Sequence, residues 1–101
     1  MKNFDQQRWK SDLKGCKGWR ITLVDSIISN KKEWKGMDDD VLLDLLGKPE
    51  KSFYYERNAK AFSYYIEPGS QCPGSEQSSE GRKFTAEINA TGFVNLVRIE
   101  N

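Results

Sequence analysis

Histidine is absent from this chain, and that absence removes more chemistry than any other feature of its composition. Without an imidazole there is no Ser-His-Asp or Cys-His relay and no His-ligated metal centre. Cysteine is scarce. Cys16 and Cys72 are the only two, too few for a four-cysteine zinc site; they suit either one disulfide or two free thiols. An excess of charge of one sign is missing as well. Sixteen Lys and Arg against 15 Asp and Glu leave a formal charge of +1, so no global field favours nucleic acid. No apolar run approaches the ~20 residues of a membrane-spanning helix. The first ten residues, MKNFDQQRWK, lack the apolar centre of a signal peptide. The expectation is a cytosolic protein, or the mature part of an exported one with a start methionine added.

What the chain does contain is enough for one domain with one modest core: 101 residues, 37% hydrophobic and 31% charged. Five Phe, four Tyr and three Trp mean that rings must supply much of the buried area. The first 18 residues are expected to form an irregular or short-helical N-terminal extension. Phe4, Trp9 and Leu13 anchor a short helix over about Asp5 to Lys14, broken by Gly15 and Gly18 around Cys16. In WRITLVDSIISNKKEW, Leu23, Val24, Ile27 and Ile28 repeat at helical spacing, while Arg20, Asp25, Ser26 and Ser29 fall mostly on the other side. This predicts a helix over about Trp19 to Asn30, with a strand over Arg20 to Val24 as the alternative that its β-branched content allows.

The stretch GMDDDVLLDLLGKP marks both ends of a helix. Asp38 is a natural N-cap, Asp39 and Asp40 fall in the first turn where negative charge is favoured, and Met37 and Leu42 have the spacing of a hydrophobic staple. Val41, Leu42, Leu45 and Leu46 form the apolar stripe. Gly47 can take a positive φ past the end, and Pro49 forbids continuation. The aspartates therefore read as caps and not as metal ligands. Four strands follow. KSFYYER and KAFSYYIE flank a turn near Arg57 to Lys60. Phe62, Tyr64 and Ile66 are assigned to the core face, Ala61, Ser63 and Tyr65 to the other; Phe53 and Tyr55 are assigned inward in the first strand. The segment Pro68 to Gly81 is a long Gly/Pro/Ser loop. Phe84, Ala86 and Ile88 face inward in the third strand, NATG is a turn with Gly92 free to take positive φ, and the spacing of Val94, Val97 and Ile99 requires a bulge near Asn95 and Leu96. The result is an α+β domain: two helices packed on one face of a four-stranded antiparallel sheet, in the order ααββββ.

The residues Gly36, Met37, Leu46, Gly47, Pro49, Tyr64, Tyr65, Gly92 and Val94 carry a resemblance. Gly-Met before a capped helix, Leu-Gly-x-Pro at its end, a Tyr-rich hairpin and a final strand after an x-Gly-x-Val turn resemble the SmpA/OmlA family of small outer-membrane lipoproteins with a BamE-like domain. The match covers roughly residues 34 to 100, apart from the loop. The architecture is also similar to the repeat unit of β-lactamase inhibitory proteins. The resemblance implies a cell-envelope protein that binds another protein, does no chemistry and needs no cofactor. It implies a location in the periplasm or on the inner face of the outer membrane, and membrane association only through a lipid anchor that this chain does not carry. In such a compartment Cys16 and Cys72, both in Gly-flanked irregular segments, form a disulfide that ties the first segment to the long loop. The inhibitor-like architecture implies a second function, an inhibitor or immunity-type protein that blocks a soluble enzyme.

Other site readings are weaker. Asp38, Asp39, Asp40 and Asp44 cluster, and Glu56, Glu67 and Glu87 lie on strands or strand ends, but a two-carboxylate hydrolase needs a cleft with one raised pKa, and nothing in the pattern indicates one; the expectation is no enzyme. Trp9 and Trp34 interleave with Lys and Arg as in some single-strand binders, yet they read as core or rim rings, and no nucleic-acid partner is expected. Tyr54 and Tyr65, assigned to the outward face of the sheet, are the protein-binding candidates, because tyrosine is enriched at binding hot spots.

Overall fold

The computed structural model describes residues 4–101; the expectations placed on residues 1–3 lie outside that range. Helices α1 (Gln6–Ser11), α2 (Val24–Ser29), α3 (Lys31–Trp34) and α4 (Asp39–Leu46) precede strands β1 (Lys51–Tyr54), β2 (Lys60–Tyr65), β3 (Lys83–Ile88) and β4 (Val94–Glu100). The strands pair antiparallel in the order β1-β2-β3-β4. The α+β class and the open meander are those expected. The helical layer is divided more finely.

The single helix expected over Trp19 to Asn30 is broken into two pieces, a further short helix follows it, and no strand forms there. Arg20–Leu23 is a 3-10 turn, α2 follows it, and Asn30 at φ −100° separates α2 from α3. Ile21, Thr22 and Val24 crowd the preceding turn and favour the tighter local path. Leu23 and Ile27 are buried, but Ile28 is 57% exposed, against expectation. The larger correction concerns Arg20. Expected on the wet side, it is 1% exposed.

Arg20 is buried because it is fully paired. Its Nε donates to the Trp9 carbonyl (3.0 Å), its Nη1 to the Tyr65 carbonyl (2.9 Å) and to Glu50 Oε1 (2.6 Å), and its Nη2 to Glu50 Oε2 (3.4 Å). The guanidinium lies 4.7 Å from the centroid of the Trp9 ring, close enough for a cation–π contribution. Glu50 also accepts from the Tyr65 N–H at 3.0 Å. Asp12, fully buried, accepts from the N–H groups of Lys17 (2.6 Å), Trp19 (2.8 Å) and Arg20 (2.9 Å). A carboxylate closing three loop N–H groups satisfies donors that no helix or strand could. The N-terminal segment, read as an extension, is thus part of the body: Trp9 is fully buried and packs against Tyr64 and Phe84.

α4 forms as its capping chemistry dictates. Asp38 Oδ1 accepts from the Asp40 N–H at 2.9 Å, and Gly47 closes the end at φ 79°, its N–H donating to the Leu43 carbonyl. Leu42 and Leu46 are buried and Leu45 is half-buried, whereas Val41 is 48% exposed; the helix lies on the sheet along a narrower stripe than the sequence pattern implied. The chain before it pairs with the last strand. Gly36 N–H donates to the Val94 carbonyl (2.7 Å), and Val94 N–H to the Met37 carbonyl (2.8 Å).

In the sheet, Phe62, Tyr64, Ile66, Phe84, Ala86, Ile88, Val94 and Val97 face the helices and form the core with Leu23, Ile27, Trp34, Leu42 and Leu46. The expected irregularity in β4 is present. Glu87 pairs with Leu96 and Ile88 with Val94, leaving Asn95 as the extra residue. Phe53 is a correction. It pairs with Ala61 and so lies on the face away from the helices, 43% exposed; Tyr55 is 53% exposed. Both faces of a four-residue strand carry an aromatic here, so alternation alone could not choose between them.

Removing one member of the Arg20–Glu50 pair leaves a buried charge without its partner, at a cost of about 3–5 kcal/mol. Arg20→Met is expected to lower stability by that amount in urea denaturation, and Glu50→Leu added to it is expected to recover part of the loss.

Candidate functional site

Sequence reasoning singled out Cys16, Cys72, Tyr54 and Tyr65, and the structure separates them. Cys16 and Cys72 are bridged, with Cα atoms 5.7 Å apart. Gln71 doubles the tie. Its Nε2 donates to the carbonyls of Lys14 and Glu67 (both 2.9 Å) and its Oε1 accepts from Gly81 N–H (3.0 Å). Gly15 is required beneath the bridge. It sits at φ +67°, and a Cβ there would lie 2.9 Å from the Glu67 backbone nitrogen. The link closes 56 residues of separation and stabilises by roughly 4 kcal/mol on the chain-entropy model.

Tyr65 lies on the face away from the helices, as assigned, and its ring is covered. It is 4% exposed. Its hydroxyl donates to Glu80 Oε2 (2.6 Å), and the Nζ atoms of Lys51 and Lys83 lie 5.7 and 5.5 Å from its ring centroid. Much of the open face is organised in this way. Ser63 donates to Thr85, which donates to Glu100 Oε1; Arg98 pairs with Glu87 and Glu100; Lys51 pairs with Glu80 at 3.0 Å. Long charged side chains cover Ala61, Ser63, Tyr65 and Thr85, which are all buried on a face expected to be wet.

These contacts shift protonation. Hydrogen bonds from Tyr65 and then Lys51 hold the Glu80 carboxyl below its ordinary value, Arg98 does the same for Glu100, and Lys60 for Asp39. Burial raises the hydroxyls of Tyr64 and Tyr65.

Among the other candidates, the carboxylates of Asp38, Asp39 and Asp40 come within 4.8 Å of one another. Asp38 caps α4, and Asp39 pairs with Lys60 at 2.7 Å. Glu67 pairs with Arg82 and Glu87 with Arg98, while Asp44 and Glu56 are exposed. Trp9 and Trp34 are fully buried, so neither offers a stacking surface to a base.

Tyr54 remains, on a different face from the one assigned. It pairs with Lys60, beside Phe62, and so belongs to the helix side, where it is 75% exposed because β1 is the sheet edge beyond α4. With Phe53 and Tyr55 it makes three consecutive exposed aromatics at the end of the edge strand, whose outer side has no neighbour. Beside them an open groove of about 410 Å³ is lined by Leu43, Gly47, Lys48, Pro49, Ser52, Tyr54 and Phe62. Natural edge strands are ordinarily blunted by charge, proline or a bulge; here Pro49 and Lys51 guard only the beginning of the strand. A second, smaller depression of about 120 Å³ lies between α2 and β4, over Ile27, Phe84, Val97 and Ile99. Of the three edge aromatics, sequence reasoning names one, Tyr54, as a binding candidate. The FYY run itself was the available signal, because a strand with aromatics at consecutive positions must expose at least one face of them.

No protein-family model matches the chain, and neither a curated protein nor a solved structure matches it.

The lowered carboxyls contribute stability that is complete above the ordinary carboxylate range, near pH 4, and is lost as pH falls through their depressed native values. The raised tyrosines contribute stability that is complete below about pH 10 and is lost as pH rises through their elevated native values. Urea midpoints are therefore expected to be flat from about pH 5 to 9 and to fall on both sides, with Glu80→Gln shrinking the acid loss. Reduction, or Cys16→Ser with Cys72→Ser, is expected to lower stability by about 4 kcal/mol, checked by paired denaturation curves.

Proposed function

We propose that this chain is a non-catalytic protein-binding module of an oxidising compartment, with the Phe53–Tyr54–Tyr55 edge as its binding surface. The observation that carries the reading is that edge: three large rings, 43%, 75% and 53% exposed, at the end of a strand that has no neighbour on its outer side. Contiguous exposed apolar surface of this kind marks interaction sites, and tyrosine is over-represented among residues that dominate binding energy. The Cys16–Cys72 bridge supports a compartment where disulfides persist. The resemblance to the SmpA/OmlA lipoproteins points the same way, to the cell envelope and to a protein partner.

A non-catalytic role is supported by the state of the ionisable groups. Asp12, Asp39, Glu50, Glu67, Glu80, Glu87 and Glu100 are each engaged with cations or N–H groups. The open groove is lined by apolar and small residues with a single lysine.

The test is affinity capture with the disulfide-bonded protein from envelope extracts, followed by binding measurements on the isolated partner. Tyr54→Ala and Phe53→Ala are each expected to weaken binding by about tenfold or more, while Val41→Ala, 48% exposed on α4 but outside the groove lining, leaves it unchanged. Undiminished binding by the double variant Phe53→Ala, Tyr54→Ala would refute the assignment.

A further inference from the structure

The two edges of the sheet are treated differently by the chain. The outer side of β4 is occupied at Val94 by the backbone of Gly36 and Met37, and the strand is interrupted by the bulge at Asn95. β1 has neither device. Tyr55 N–H donates to the Ala59 carbonyl at 2.8 Å. In an alternating antiparallel ladder this places Lys51 and Phe53 in hydrogen-bonded pairs with β2 and turns the N–H and C=O groups of Ser52 and Tyr54 outward. The edge thus presents two residues, two positions apart, with unpaired backbone groups, and Phe53 stands midway between them.

From this symmetry we infer that the occupant of the β1 edge is a second copy of the same strand, related by a two-fold axis through Phe53. The inference rests on the reading of this edge as a protein-binding surface and names its partner. An antiparallel β1–β1 pairing about Phe53 sets Ser52 opposite Tyr54 of the second copy, and Tyr54 opposite its Ser52. Both of these pairs have outward-turned backbone groups, so the register satisfies all of them. Side-chain sizes fit as well. The large Tyr54 ring meets the small Ser52 across the axis and enters the groove floored by Leu43, Pro49 and Phe62, which its own exposure leaves empty in the single chain. On the other face Phe53 meets its mate, and Lys51, already held by Glu80, falls opposite Tyr55. Glu50, the next residue towards the helices, is turned inward to Arg20, so it brings no charge to the contact. Because β4 is covered at Val94 and bulged at Asn95, the pairing closes after two copies and gives one eight-stranded sheet, not a growing fibre.

A four-residue edge with three rings is a small interface, below the ~1,200 Å² of a standard one, so the association is expected to be reversible, with a dissociation constant on the order of 10–100 µM. Sedimentation equilibrium across that range is expected to show monomer and dimer. Phe53→Glu, at a position already 43% exposed, places two carboxylates at the axis. It is expected to weaken association at least about tenfold while the circular dichroism spectrum and the Cys16–Cys72 bridge are retained. Phe53→Cys supplies an independent check. A non-hydrogen-bonded pair brings Cα atoms to ~4.5 Å, inside the range of a disulfide, so mild oxidation is expected to give a covalent dimer, and Leu96→Cys on β4 is not. A wild type that stays monomeric to about 1 mM, a dimer unaffected by Phe53→Glu, or open-ended aggregation overturns the inference. If the chain is monomeric and a different protein is captured through Phe53 and Tyr54, the second-copy inference falls and the edge stands as a binding surface. If neither association depends on these residues, both fall.

Discussion

One buried guanidinium holds three parts of this molecule together. Arg20 reaches the carbonyl of Trp9, the carbonyl of Tyr65 and the carboxylate of Glu50, which belong respectively to the first helix, the end of β2 and the lead-in to β1. A charge in such a place is tolerated only when every donor has an acceptor. That condition fixes where the N-terminal segment must lie. Asp12 sets the approach by gathering the N–H groups of residues 17, 19 and 20, and Trp9 is delivered onto Tyr64 and Phe84 as a consequence. The disulfide then fastens the same segment to the long loop. Polar chemistry thus does at the N-terminal end what aliphatic packing does beneath α4.

The same division of labour explains why the edge, and not the open face, is the surface left for a partner. On the open face each long side chain is already matched: lysine with glutamate, arginine with two carboxylates, hydroxyl with hydroxyl. Covering that lattice would require desolvating pairs that are satisfied in water, and the gain from doing so is small. The β1 edge has the opposite character, with backbone groups unmatched by neighbours and rings that gain from leaving water.

What could be read from the sequence follows from how local the cause is. The N-cap of α4, the glycine at its end, the hairpin positions and the bulge in β4 arise from residues within a few positions of one another, and all are present. The turn of the first hairpin, with Arg57 and Asn58 both at positive φ, lies where the turn chemistry placed it. Arg20 and Asp12 were missed because their burial depends on partners 30 and 45 residues away, or on a loop whose path no propensity encodes. One trace was nevertheless present. Arg20 precedes Leu23 by three positions and Ile27 by seven, the spacing of a single helical face, so the residue lay in register with the core and only its charge argued otherwise. The burial of Tyr65 was not legible for a related reason: its face was correctly assigned, but a face can be dry without apolar neighbours when lysines and glutamates lie across it.

The contact between Gly36–Met37 and Val94 has a temporal consequence. The approach to α4 takes its hydrogen bonds from a strand made nearly sixty residues later, so on a chain emerging from a ribosome or a pore Gly36 and Met37 lack these partners until the last strand arrives. Closing such distant contacts costs loop entropy before any of them is rewarded. The entry of α4 is therefore fixed only after β4 has been made.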